Sequence, residues 1–139
     1  MAAFNKFQQF VEDLGLKKHD LNADTLKIYL SNAVPSASLD AVKADLAEIS
    51  AGNGYTAGGE DTLNTYTESA GTGSCVGTDV TWTASGGSIG PFQYVVLYND
   101  TQTVPADPLI GWWDYGSALT LNAGESFTTD FGTSMFTVA

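Results

Sequence analysis

Carboxylates are the side chains in this sequence that could most readily perform chemistry, since sixteen of the 139 residues are aspartate or glutamate. A glycosidase needs only two suitably spaced carboxylic acids and aromatic side chains that bind the sugar. One cluster offers both kinds of group, Trp112–Trp113–Asp114–Tyr115. Because neighbouring tryptophans in a β-rich chain are more simply explained as core and rim residues, we predict no catalytic site in this cluster.

Histidine and cysteine, the residue types most often used as base and nucleophile, each occur once. His19 lies between Lys18 and Asp20, which predicts a solvated surface position, and a Ser-His-Asp arrangement would depend on it alone. Cys75 lies in a glycine-rich stretch without a neighbouring histidine, which indicates a packed thiol. Metal sites built on imidazole or thiolate need more ligands than these. We therefore predict no catalytic residue, no metal ion and no cofactor.

Oxygen ligands could still bind a hard cation such as Ca²⁺, and Asn99, Asp100, Asp107 and Asp114 offer them. Their spacing matches no dedicated calcium loop, so the pattern alone does not define a site. The glycine runs at residues 52–58 and 71–77 raise the question of a phosphate loop. Both space their glycines too widely for the dinucleotide motif and lack the Lys-Ser/Thr pair of a nucleotide-binding loop.

Charge is distributed unevenly along the chain, whose formal net charge is −11. Residues 1–44 contain all five lysines and five acids, whereas the remaining acids, from Asp45 to Asp130, face no basic residue and the chain has no arginine. This balance argues against binding of nucleic acid or of anionic membranes. The acidity either provides solubility, or it faces solvent while the neutral N-terminal part docks onto a partner. We expect no export signal and no membrane span.

The most continuously apolar stretch is Phe92–Tyr98, in which both alternating sets of side chains are largely apolar. A strand covered on both faces belongs in the middle of a sheet, so we predict that this stretch is the central strand. Residues 25–31 alternate more strictly, with Leu26, Ile28 and Leu30 on one side, and predict a half-buried strand. From residue 78 onwards the pattern is β throughout, including a hairpin across residues 119–129.

Two segments show the spacing of an amphipathic helix. Phe4, Phe7, Val11 and Leu14, with Phe10 beside them, predict a helix over residues 3–14. Such a short helix must pack its phenylalanines on the protein's own sheet or on a neighbouring subunit. In residues 38–49, a stripe of aliphatic side chains predicts a short helix or a helical turn.

Residues 50–77 are rich in glycine and predict a long extended loop, interrupted by a short strand near residues 62–68. Loops of this length are usually functional or disordered. We expect this loop to be ordered by contact with a partner, to which Asn53 and Tyr55 would contribute.

Together these patterns predict a mainly β protein with a single β-sandwich or jelly-roll-like domain over residues 1–139, a short N-terminal amphipathic helix and a long Gly-rich loop. Within this domain we distinguish four segments. They are an N-terminal helical segment (1–24), a strand and short helix (25–49), the Gly-rich loop (50–77) and the β core (78–139).

Several stretches of the chain resemble small virion proteins of tailed bacteriophages, which are encoded near the major capsid protein. The stretches that carry the resemblance are Phe4–Val11, Asp24–Asn32, Glu48–Gly59, Tyr94–Thr101 and Pro108–Gly116. Some of these virion proteins look like capsid cement or decoration proteins. The resemblance spans most of the chain, but its motifs are structural and supply no catalytic residues.

This resemblance implies a non-enzymatic cement protein on the capsid exterior, which binds the major capsid protein and assembles as a homotrimer. Such proteins stabilise a shell by bridging neighbouring capsomers through many copies of one modest interface. The alternatives are a tail or head-fibre component, or a carbohydrate-binding β-sandwich that uses Trp112, Trp113 and Asp114. The residues that we expect to contact a partner are Phe4, Phe7, Phe10, Val11, Asn53, Tyr55, Trp113 and Tyr115.

Overall fold

The computed structural model describes residues 2–139, and it confirms a mainly β fold with one short α-helix. The helix α1 spans Gln8–Gly15, and a single 3-10 turn spans Lys43–Asp45. The strands are β1 Phe4–Lys6, β2 Leu26–Ser31, β3 Glu60–Asp61, β4 Thr65–Ser69, β5 Thr72–Val76, β6 Thr81–Thr83, β7 Ile89–Asn99, β8 Leu109–Leu121, β9 Ser126–Thr128 and β10 Phe136–Val138.

The largest sheet has five strands in the order β1-β8-β7-β2-β3, and every pairing in it is antiparallel. β7 lies at its centre between two long neighbours, which confirms the prediction for Phe92–Tyr98. The strand predicted over residues 25–31 is also present as β2. It is covered on both faces rather than on one, because Tyr29 and Ser31 are fully buried on the side opposite Leu30.

Two smaller sheets form a second layer against one face of the large sheet, which we call the front face. They are a three-stranded sheet, β10-β5-β4, and a two-stranded sheet, β6-β9. The main hydrophobic core lies between the layers and includes Trp82, Phe92, Leu97 and Trp113, with Phe10 from α1. This arrangement of two packed antiparallel layers is that of a β-sandwich.

The side chains of β7 do not alternate regularly between the two faces of the sheet. The sequence predicts Phe92 on the same face as Tyr94, Val96 and Tyr98, yet Phe92 packs in the front core and the other three on the back face. The pairing register with β8 shifts between Phe92 and Tyr94, which indicates a β-bulge at this point. An extra residue in one strand reverses the face on which the following side chains lie.

The back face of the large sheet is covered by residues 32–49, which we call the strap. The strap carries Leu46 into the back-face cluster and contains no α-helix, only the 3-10 turn. Two aspartates explain this outcome. The Asp40 carboxylate accepts a hydrogen bond from the amide of Ser36 at 2.7 Å, and the Asp45 carboxylate accepts one from Ala41 at 2.9 Å. These local bonds stabilise turns in competition with a helix.

The N-terminal helix is shorter than predicted, because residues 4–6 form strand β1 on the edge of the large sheet. Phe4 lies opposite Trp113 in this pairing, and Phe7 follows as the last residue before α1. The aromatic spacing therefore reflects a strand followed by a helix. Both elements place their phenylalanines on the protein's own sheets.

Residues 50–77 also differ from the prediction of a long loop. Residues 50–59 form a loop without a strand, but a strand close to the one predicted near residues 62–68 is present as β4. β4 and β5 form a hairpin whose second strand pairs with β10. The hairpin predicted across residues 119–129 is wrong as well. The turn is present, with Gly124 at a φ of 91°, but the strand that follows it, β9, pairs with β6 instead of β8.

Candidate functional site

Half of the residues predicted to contact a partner lie in the protein's own interior. Phe7, Phe10, Tyr55 and Trp113 are each 3% exposed or less. Their side chains are therefore inaccessible to a partner in this conformation. Of the remaining four, Phe4 and Tyr115 are half-buried, whereas Asn53 and Val11 are exposed.

The Gly-rich loop is held by its own chain. The Asn53 side-chain amide donates a hydrogen bond to the carbonyl of Ser88 at 3.0 Å, and the Asn53 backbone carbonyl accepts one from the amide of Ser85 at 2.9 Å. The Tyr55 hydroxyl accepts a bond from the amide of Leu30 at 3.0 Å. We expected a partner to order this loop, but these contacts order it within the monomer.

A largely buried carboxylate, Glu48, ties the strap to this loop. It accepts hydrogen bonds from the Tyr55 hydroxyl at 2.9 Å and the Gly58 amide at 2.7 Å. It also pairs with the Lys43 ammonium at 2.7 Å, and that ammonium lies 4.8 Å from the centre of the Tyr29 ring. Because all of its partners belong to the fold, Glu48 acts here as a structural anchor.

The aromatic and acidic cluster considered for sugar chemistry does not converge on one surface. Trp112 and Trp113 lie on opposite faces of β8, with Trp112 against Phe7 and Trp113 against Phe131. Asp114 is exposed and accepts hydrogen bonds from the Gln93 side chain and the Gly116 amide, which lower its pKa. The two indole rings and this carboxylate therefore do not form a sugar platform.

The oxygen ligands considered for Ca²⁺ do not all converge, although Asp107 lies close to Asp100, and burial together with the Asp100 charge raises the pKa of Asp107. Asn99 is buried at the end of β7, Asp100 pairs with Lys27 at 3.1 Å, and Asp114 lies opposite Tyr94. Within residues 2–139, no group of three or more His, Cys, Asp or Glu side chains is placed to hold a metal ion. Cys75 is fully buried, as predicted, and burial raises the pKa of its thiol to about 12.

The position of His19 differs most clearly from the one predicted. It was expected to be solvated, yet it is only 6% exposed, with its ring 5.2 Å from that of Phe10. Its polar neighbours come from elements remote in sequence, including Asn99 of β7. Nothing in the flanking residues Lys18 and Asp20 indicates such a contact.

A surface groove of about 280 Å³ lies where the chain termini meet, and we call it the N-terminal groove. Its floor contains the rings of Phe4, Phe10 and Phe136, and the Phe136 ring contacts both of the others. Val11 and Leu14 of α1 form one wall. This groove contains three of the residues predicted to contact a partner, and Val11, which is 56% exposed, is the most accessible of them.

Two unpaired strand edges lie beside the N-terminal groove. β1 is the outermost strand of the large sheet and β10 is the outermost strand of the three-stranded sheet. Each is therefore paired on one side only, within the part of the chain that the structure describes. Exposed edges of this kind can accept a further strand through backbone hydrogen bonds.

Three lysines of the N-terminal region have no ion pair among the residues that the structure describes, and one of them lines this groove. Lys27 and Lys43 pair with Asp100 and Glu48, whereas Lys6, Lys17 and Lys18 have no ion pair within 4 Å among the described residues. Lys6 lines the groove itself. On a protein of net charge −11, the N-terminal region is thus where an acidic or neutral partner meets least repulsion.

Comparison of the chain with known protein families, with characterised proteins and with solved structures finds no match. No helix formed by residues 2–139 has both the length and the apolar character needed to cross a membrane.

Proposed function

We propose that the protein is a non-enzymatic cement, or decoration, protein of a tailed bacteriophage capsid, which binds the outer surface of the major capsid protein shell. The N-terminal groove carries this proposal. It combines an apolar wall, two unpaired strand edges and a lysine without an ion pair. The sequence resemblance to phage virion proteins supplies the identity of the partner.

The physical requirements of a cement protein suit this groove. Burying apolar surface contributes roughly 25 cal/mol per Å², and association costs part of that gain, so one small contact surface gives each copy a modest affinity. Backbone hydrogen bonds to β1 or β10 would add directional contacts. Many copies on one shell then multiply the stabilisation of the assembled state, because each copy binds that state and not free subunits.

The charge distribution favours one orientation on the shell. The N-terminal region would face the capsid, and the acidic remainder would face solvent, which also keeps bound copies soluble. The resemblance further supports a homotrimer. Light scattering of the purified protein across a concentration series tests this assembly, and a strict monomer at every concentration would contradict it.

The proposed function is tested by co-sedimentation with phage heads that lack this protein. Wild type should bind with hundreds of copies per head, and Val11→Asp, which places a charge on the exposed groove wall, should lose at least about tenfold in affinity. Leu63→Asp is the matched control, since Leu63 is 66% exposed and follows β3 at the opposite edge of the large sheet.

Two outcomes would contradict this scheme in different ways. Full binding by Val11→Asp would show that the N-terminal groove is not the contact surface. Absence of wild-type binding to heads would rule out the cement function itself. Recovery of only a few copies per particle, located on the tail, would instead assign a tail or fibre role.

A further inference from the structure

A buried polar cluster lies behind α1 and plays no part in the N-terminal groove. It contains His19, Asp13 of α1, Asp24 and Asn99 of β7. His19 is 6% exposed and Asp13 only 4%. Buried polar groups are costly unless they are hydrogen-bonded, so each atom of this cluster should have a partner.

Hydrogen bonds fix the orientation of the Asn99 amide. Its oxygen accepts bonds from the backbone amides of Thr101 at 2.9 Å and Gln102 at 3.2 Å. Its nitrogen donates to the Asp24 carboxylate at 2.7 Å and lies 3.2 Å from His19 Nδ1 and 3.4 Å from the Lys18 carbonyl oxygen. Because backbone amides can only donate, the Asn99 side chain cannot be reversed without losing two bonds.

This orientation also fixes the tautomer of His19. The Asn99 nitrogen is a donor, so Nδ1 must accept, and the neutral ring carries its proton on Nε2. His19 Nε2 is buried and has no hydrogen-bond partner among the described residues, and the same is true of Asp13 Oδ2. The two orphaned atoms are a donor and an acceptor of hydrogen bonds.

We propose that His19 is a proton-operated latch that holds α1 against the large sheet while the imidazole is neutral and loosens α1 when it is protonated. Protonation places a second hydrogen on Nδ1, directly opposite the Asn99 donor, which cannot turn away. The Nδ1 contact is then lost. The cation is also taken out of water in a site that faces the Phe10 ring.

The charged groups around the imidazole act in both directions. Asp13 on α1 and Asp24 before β2 favour the cation, whereas burial disfavours it and outweighs them, so the pKa of His19 lies below its ordinary value. Lys17, Asp20 and Tyr66 of β4 line with His19 a cavity of about 430 Å³, into which the charged ring can move toward solvent. Stability supplied by neutral His19 is therefore fully present above about pH 6.5 and falls as the pH drops below it.

Loosening of α1 has a direct consequence for the surface. The same helix carries Asp13 toward the latch and Val11 and Leu14 toward the N-terminal groove. Release of α1 therefore opens one wall of that groove and exposes Phe10. This inference rests on contacts within the chain and does not depend on the proposed function.

Hydrogen exchange measured by NMR tests the latch on the intact protein. Between about pH 7.5 and pH 5.5, protection of the α1 amides, corrected for intrinsic exchange, should fall at least about threefold while the β7 amides stay protected. His19→Gln retains a neutral donor and acceptor, so its α1 protection should not change with pH. Equal protection of wild type at both values, or the same loss in His19→Gln, would overturn the proposal.

A second measurement does not depend on the folding of the variant. The ¹⁵N shifts of His19 in the wild type should show a proton on Nε2 at neutral pH, and its titration midpoint should lie below about 6.5. A proton on Nδ1, or a midpoint above that value, would equally overturn the latch.

Discussion

Phe4 stacks on Phe136, with ring centroids 5.0 Å apart and planes inclined by 14°. The first ring belongs to the edge strand of the large sheet, and the second belongs to the edge strand of the three-stranded sheet. The contact thus joins the two layers of the sandwich at the point where both have an open edge. It also forms the floor of the N-terminal groove.

Replacement of Phe4 by alanine should destabilise the protein through the loss of this contact. We expect the free energy of unfolding to fall by about 2 kcal/mol, less than for a fully buried phenylalanine because Phe4 is half-buried. Urea denaturation measures this change. Val11→Ala, on the exposed wall of the same groove, should change stability by less than about 0.5 kcal/mol. Equal effects of the two substitutions would show that the stacked pair does not join the layers.

Glu48→Ala should be costly, because it leaves the Lys43 ammonium and the Gly58 amide without their acceptor. We expect a loss of about 2–3 kcal/mol in the free energy of unfolding. Lys27→Met breaks the exposed pair with Asp100 and serves as the comparison, with an expected loss below about 1 kcal/mol. If both variants melt like wild type, Glu48 does not anchor the strap.

Two glycines should respond to alanine substitution with opposite signs. Gly59 has a φ of +75°, and a Cβ there would lie 1.8 Å from the carbonyl oxygen of Ile28, so Gly59→Ala should cost more than about 2 kcal/mol. Gly15, at the end of α1, has nothing within 4 Å, and Gly15→Ala should stabilise by up to about 1 kcal/mol. Thermal denaturation distinguishes the two, and a tolerated Gly59→Ala would contradict the close approach of this loop to β2.

Cys75 should be unreactive while the protein is folded. Its side chain is fully buried and its pKa is raised to about 12, so almost no thiolate forms at pH 8. An aromatic disulfide reagent should modify Cys75 only at the rate at which the protein unfolds, and immediately in concentrated denaturant. The raised pKa also means that stability is retained below the unfolded thiol's pKa and is lost as the pH rises above it. Rapid labelling in native buffer would contradict the buried position.

The sequence predicted those parts of the fold that depend on a local pattern. Phe92–Tyr98 lies at the centre of the large sheet because both of its faces are apolar. Which strand pairs with which was harder to foresee. β9 pairs with β6, and the rings of Trp82 and Phe127 stack across this pair although the two residues are far apart in sequence.

Half of the residues predicted to contact a partner are buried, and there is a physical reason why the sequence does not reveal this. An aromatic residue that anchors a core and one that binds a partner have the same sequence pattern, so Phe7, Phe10 and Trp113 were assigned to an interface although they are buried. The strap shows a related ambiguity. Its aliphatic residues have helical spacing, but hydrogen bonds from backbone amides to aspartate side chains stabilise turns there instead. The burial of His19 depends on Asn99, which no local pattern connects to it.

The most direct test of the proposed function is the temperature at which phage heads release their DNA. Heads that lack the protein should release DNA several degrees below wild-type heads, and adding purified protein should restore the higher temperature, whereas Val11→Asp should not. Identical release temperatures with and without bound protein would contradict a stabilising role on the capsid.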